Sequence, residues 1–360
     1  MPEAMFGGES GLGPMVRSEG CRAWTANGRE LIDWTMALGA VSLGYAHPHV
    51  TEAAVRAAFD GTVGPLPPAL ESRVAERLVA AYPGAERARF FKTGAEAVQA
   101  AVRLARVATG RESVLHVGYH GWLDGPTSGA GVPRAISDLW IPVAYDSVEA
   151  LAAAAREKKP AAIMLEPFIE RLPGASWLAE ARRIADECGA VLIFDEIKTG
   201  FRLARGGAAE AWKVAPDLGV LGKALANGYP LAAVAGRAAL MDRVRDTWIS
   251  STLATEFVSL AAADAVLDVW EKTDVAGHIQ RVGDLAMAGV GGLAGWKVQG
   301  IAPMWFVPFH DPALERRVLL GCVERGVLIK RGAYNFPSLA HTEGDVARLV
   351  EVMREVVAGL

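Results

Sequence analysis

Residues 191–195 read Val191-Leu192-Ile193-Phe194-Asp195, and residues 218–223 read Leu218-Gly219-Val220-Leu221-Gly222-Lys223. Each is a short apolar run that closes on an ionisable side chain. Short apolar runs between turn formers predict strands buried on both faces. Comparable runs occur at 89–91, 113–117, 161–165 and 231–235. Helical stretches lie between several of them. In 94–108, Val98, Val102 and Ala105 recur at three- and four-residue spacing, and 176–188 is followed by Gly189, a natural helix terminator. Buried strands alternating with helices predict an α/β fold built on a mostly parallel sheet.

Working outward, the pattern changes at both ends. Toward the N-terminus, Cys21 to Trp34 reads as a hairpin, with Asn27-Gly28 as a type I′ turn. Beyond residue 240, 257–270 and 344–357 read as long amphipathic helices, and 304–309 and 327–330 as strands. The expected organisation is a large α/β domain over 45–240, and a smaller α+β domain made of 1–44 with 241–360. At 360 residues the chain is long enough for two such domains.

Hydrophobic residues make up 51% and charged residues 22%, which excludes a disordered chain. A net charge of −4 without a Lys/Arg tract argues against nucleic-acid or anionic-membrane partners. No run of eighteen apolar residues occurs, and the opening Met1–Gly8 carries no secretory pattern. The three cysteines, Cys21, Cys188 and Cys322, are far apart. Together these features predict a soluble protein of a reducing compartment, the cytoplasm.

In an open α/β sheet, ligands bind beyond the carboxyl ends of the strands. The residues expected there are Thr93-Gly94-Ala95, Tyr119-His120-Gly121, Glu166, Asp195-Glu196 and Gly222-Lys223. Gly94 and Ala95 open a helix whose first N–H groups attract an anion such as phosphate. Thr93 with Glu96 also reads as a capping box. Lys223 follows a buried strand, where burial lowers an ammonium's pKa and leaves a nucleophilic amine. Lys92 and Lys198 are the other lysines near this edge. No metal-ligand spacing is present, so no metal is expected. The combination describes a site for pyridoxal 5′-phosphate (PLP). Lys223 would hold the aldehyde as an imine, Asp195 would pair with the ring nitrogen, and Tyr119 would stack on the ring. His120 lies beside that face, as a substrate contact or a structural hydrogen bond. Arg202 and Arg331 could hold a substrate carboxylate, with helix-end or surface pairing the default reading of each; Tyr334, Asn335 and Trp122 could line an acceptor pocket, and core packing accounts for them equally well.

Phe194-Asp195-Glu196-Ile197-Lys198-Thr199-Gly200-Phe201-Arg202, followed by 216–230 with Gly222-Lys223, resembles the class III PLP-dependent aminotransferases. Within them the chain is most similar to the branch containing glutamate-1-semialdehyde aminomutase. Thr93-Gly94-Ala95-Glu96, Gly118-Tyr119-His120-Gly121-Trp122, Leu43-Gly44-Tyr45-Ala46-His47-Pro48 and 337–346 match as well. The resemblance implies a PLP-dependent transferase of fold type I, working as a homodimer with shared active sites. It implies that Lys223 is the Schiff-base lysine and Asp195 the partner of the ring nitrogen. Gly94 and Ala95 would hold the phosphate, Tyr119 and Ile197 would pack on the two ring faces, and Thr252 would reach the phosphate of the other subunit. The implied reaction moves an amino group from an amine or amino-acid donor to a small carbonyl acceptor, through a pyridoxamine phosphate intermediate.

Several positions depart from the pattern. Ala95 lacks a hydroxyl often present there, Glu256-Phe257 replaces Asn-Pro, and the segments before Gly20 and over 124–145 are short. These departures point to a donor and acceptor other than the aminomutase's. An aminomutase or a racemase on the same site is the alternative enzyme, and a non-catalytic binding protein the alternative of another class.

Overall fold

The computed structural model describes residues 11–293 and 296–359. The stretch Met1–Gly8 lies outside them. By packing, the chain divides into two units, one formed by the chain up to Thr51 with Val269–Leu360, the other by Glu52–Asp268. The sequence pattern predicts boundaries at 44/45 and 240/241. The segment between Met241 and Asp268 belongs to the larger unit, where Arg77 reaches Asp264 at 2.6 Å and Asp268 at 2.9 Å.

In the smaller unit β1 (Met15–Glu19), β2 (Arg22–Thr25) and β3 (Glu30–Asp33) form an antiparallel meander. The β2–β3 turn differs from the expected type I′. Only Gly28 has a positive φ, at 80°. The Gly28 amide donates to Thr25 O at 2.9 Å and the Thr25 amide to Arg29 O at 3.0 Å. That is a three-residue loop with a glycine bulge, which needs the left-handed conformation at Gly28 alone.

The larger unit carries β4 (Arg87–Phe91), β5 (Val114–Val117), β6 (Trp140–Pro142), β7 (Ala162–Leu165), β8 (Val191–Asp195), β9 (Leu218–Leu221) and β10 (Ala232–Gly236). They form one seven-stranded sheet in the order β4-β10-β9-β8-β7-β5-β6. Only β10 runs antiparallel to its neighbours. Every residue of β7, β8, β9 and β10 is buried, as a sheet covered on both faces requires. The Gly94–Thr109 helix packs Ala97, Val98, Ala101, Val102 and Ala105 into one apolar cluster with Met164, Ile193, Val220 and Val234. The Trp177–Cys188 helix ends at Gly189, at φ 67°.

The smaller unit is completed by β11 (Gln299–Ile301), β12 (Met304–Phe306) and β13 (Val327–Leu328). β13 adds to β3 in parallel. The Val275–Gly291, Pro312–Glu324 and Glu343–Ala358 helices close a core around Trp34, Trp305, Val318, Leu349 and Met353. No helix of the described residues is long and apolar enough to cross a membrane.

Candidate active site

Because β4, β5, β7, β8 and β9 point the same way, the residues that follow them emerge on one edge of the sheet. Asp195 is the last residue of β8 and is buried. A buried carboxylate needs partners, and it has two. His120 Nδ1 lies 2.7 Å from Asp195 Oδ2, and the Ile197 amide donates to Oδ1 at 3.2 Å. His120 is itself almost fully buried. It therefore stands behind Asp195 and fixes that carboxylate's orientation, the structural one of its two expected roles.

Three lysines stand at this edge, and their surroundings separate them. Lys92 Nζ is held by Glu256 Oε1 at 2.8 Å and by Pro230 O at 3.1 Å. Lys198 Nζ is held by Glu166 Oε1 at 2.8 Å. Among the described residues, no carboxylate grips Lys223. Burial pushes its ammonium below the usual lysine range; the Lys198 charge adds to this, Asp195 and Glu166 oppose it, and Arg202 adds further. Its backbone is also unusual. Lys223 sits at φ 45°, in the left-handed region, at the start of the Lys223–Ala226 turn. Such a conformation costs on the order of 1–3 kcal/mol in a non-glycine residue, and strain of this kind collects at functional sites.

Gly94 and Ala95 begin the Gly94–Thr109 helix. The Thr93–Glu96 capping box is present, and the Glu96 carboxylate turns back onto the amides of Thr93 at 2.9 Å and Lys92 at 3.2 Å. It is spent there, leaving the Gly94 and Ala95 amides as the outward donors of the helix N-terminus. A Cβ on Gly94 would come 2.5 Å from Ile197 Cδ1, and one on Gly222 would lie 3.6 Å from Ile197 Cγ1. Ile197 therefore packs against both the glycine that opens the helix and the residue before Lys223.

Tyr119 follows β5; its ring is exposed, and its amide donates to Glu166 Oε2 at 2.7 Å. Thr252 is exposed in a turn. Of the substrate-binding candidates, Arg202 is wholly buried, and burial pulls its guanidinium down to about 9. Arg331 reaches Glu315 at 3.4 Å. Asn335 is buried and accepts from the Lys330 amide, and Tyr334 packs on Phe306 and Phe336. Trp122 is exposed. The Lys92–Glu256 and Glu166–Lys198 pairs were not visible in the sequence, since their members lie 164 and 32 residues apart and no local spacing joins them.

The family described as aminotransferase class-III matches residues 9–357. The chain belongs to the class III aminotransferases. Among its curated relatives is the glutamate-1-semialdehyde 2,1-aminomutase of Methanothrix thermoacetophila, 33% identical, with 91% of this chain and 84% of the relative aligned. The enzyme of the same name from Gemmatimonas aurantiaca is 34% identical, over 92% of this chain and 86% of its own. Among solved structures, the PLP internal aldimine form of the Sphingopyxis sp. MTA144 FumI protein superposes with a TM-score of 0.92 at 27% identity, covering 96% of this chain and 88% of that one. PLP is the cofactor of this class III family, and the fold is that of its transaminases. The residues present fit the group. An ungripped buried amine, a carboxylate steadied from behind, and a glycine-opened helix with outward amides stand on one sheet edge.

Proposed function

We propose that this class III chain is a PLP-dependent aminotransferase, moving an amino group from an amine or amino-acid donor to a small carbonyl acceptor. The observation that carries the reading is Lys223. Of the three lysines at the carboxyl edge of the sheet, it is the one whose amine no carboxylate grips among the described residues and whose burial favours the neutral, nucleophilic form. When bound, PLP supplies a carbonyl that takes up the amino group and a ring that draws electrons from the reacting carbon. Asp195, oriented by His120, would hold a proton at the ring nitrogen. The Gly94 and Ala95 amides would hold the phosphate. Ile197 and Tyr119 would pack against the two faces of the ring. Once displaced, the Lys223 amine would carry a proton from the donor's carbon to the bound cofactor, and in the opposite direction for the acceptor.

A homodimer with shared sites fits the surface. Phe59, Leu66 and Trp248 are 88%, 76% and 94% exposed, and the Phe257 amide donates to Thr62 O at 3.0 Å, joining the two segments that carry them. Large apolar side chains left in water favour a protein partner. Thr252 lies between Trp248 and Phe257, where a second copy could meet it. The free cysteines fit a reducing, cytoplasmic setting.

The second reading is an aminomutase, favoured by the names of the curated relatives. Mixing the PLP-loaded protein with amine donors and a keto-acid acceptor separates the two. Transfer gives keto product beyond one equivalent per chain only when acceptor is supplied, whereas isomerisation turns over without one. Lys223→Ala is expected to remain folded by circular dichroism and to lose turnover in either case.

A further inference from the structure

Asp195 lies opposite Val220 in the β8–β9 ladder, the Glu196 amide donates to Val220 O at 2.8 Å, and Ile197 touches Gly222. One residue beyond Ile197 and Gly222 stand Lys198 and Lys223, so the two lysines leave neighbouring positions at the mouth of the sheet. Lys198 is not loose there. Its side chain and that of Glu166 are mostly buried, and their ion pair is 2.8 Å long. The other oxygen of Glu166 accepts the Tyr119 amide at 2.7 Å, so the carboxylate that grips Lys198 is itself fixed to the chain following β5. Lys198 Nζ also lies 5.8 Å from the centre of the Phe168 ring.

We propose that Lys198, clamped by Glu166, is a positioning residue for Lys223, a fixed positive charge that keeps the neighbouring amine in its neutral, carbonyl-attacking form. The proposal rests on the reading of Lys223 as the reactive amine. The physical basis is the sign and distance dependence of charge interaction. A cation beside an amine disfavours its protonation, and in a partly desolvated site the effect is large. The groups facing Lys223 are Lys198 and Arg202, which disfavour its protonation, and Asp195 and Glu166, which favour it. Lys198 and Glu166 therefore act on Lys223 in opposite directions while holding each other in place, and this opposition is what a purely structural pair would lack. If the pair served only to brace the Tyr119 loop, removing either member would loosen the pocket and move Lys223 the same way, toward an exposed lysine.

The test uses the protein without added cofactor. Trace labelling of amines with acetic anhydride across a pH series, read by mass spectrometry on the peptide containing residue 223, gives the protonation constant of that amine. Lys198→Met is expected to raise it by about tenfold, Glu166→Gln to lower it, and Lys198→Arg to leave it near the parent value. Shifts of the same sign in Lys198→Met and Glu166→Gln, or no shift in Lys198→Met, overturn the proposal. If Glu166→Gln does not fold, the Met and Arg variants at 198 decide alone: loss of charge must raise the constant and the retained charge must restore it. Borohydride reduction of the PLP-loaded parent separates the two claims. A pyridoxyl group found away from residue 223 removes the reading of Lys223, whatever the labelling shows about Lys198.

Discussion

At the scale of single residues, the site is a set of charges whose partners decide their roles. The Asp195 carboxylate proposed to meet a ring nitrogen is held by His120 at 2.7 Å. Removing that donor leaves a buried carboxylate short of one partner, which costs about 1–3 kcal/mol. His120→Phe is accordingly expected to bind PLP at least tenfold more weakly, with His120→Asn closer to the parent, as read by absorbance titration; an unchanged affinity in the Phe variant would remove His120 from the site. Asp195 and Lys223 were legible in the sequence because an ionisable residue at the end of a buried apolar run is conspicuous. His120 was visible only as a neighbour of Tyr119. Its partner lies 75 residues away, and no spacing rule predicts that pairing.

At the scale of elements, Glu196 shows how the turn after β8 is secured. It is fully buried, and it accepts the amides of Ala208 at 2.9 Å and Ala209 at 2.8 Å as well as the Thr199 hydroxyl. Burial is the largest influence and outweighs these bonds, with Asp195 next door adding to it, so the carboxyl is pushed up to about 7. A folded-state value above the ordinary 4.5 means that the native protein binds this proton more tightly than the unfolded chain does. The contribution to stability is present in full below about 4.5 and is lost as the pH rises through about 7, on the order of 3 kcal/mol in all. Glu196→Gln should flatten the fall in stability over that window in urea unfolding at a series of pH values. The same slope in parent and variant would show that Glu196 does not titrate there. Strand positions were readable because β7 to β10 are apolar throughout. The turns were less so. Asn27-Gly28 suits either a type I′ turn or a bulged loop, and only the backbone distinguishes them. Met36, Ala37 and Leu38 lie at φ 41°, 50° and 59°, a left-handed turn that their side chains disfavour and nothing in their order announces.

At the scale of the whole molecule, the parallel sheet explains why residues as distant as 94, 119, 195 and 223 emerge on one edge, and the exposed Phe59, Leu66 and Trp248 are the surface on which the proposed dimer is tested. Light scattering after gel filtration is expected to give a dimer for the parent, and mostly monomer for Phe59→Glu combined with Trp248→Glu. Thr252→Ala should leave the dimer intact while weakening PLP binding. A monomeric parent would contradict the shared-site arrangement. The change in hydrophobic pattern along the chain predicts boundaries at 44/45 and 240/241, whereas the packing units divide at 51/52 and 268/269. The allegiance of the segment before Asp268 was not legible, because it depends on Arg77 reaching Asp264 and Asp268 across almost two hundred residues. The role of the amine at 223 is tested most directly by reducing the PLP-loaded protein with borohydride and mapping the pyridoxyl group by peptide mass spectrometry. The expected result is one pyridoxyl group per chain, on the peptide carrying Lys223; its appearance on Lys92 or Lys198, or its absence from the protein, would contradict the account.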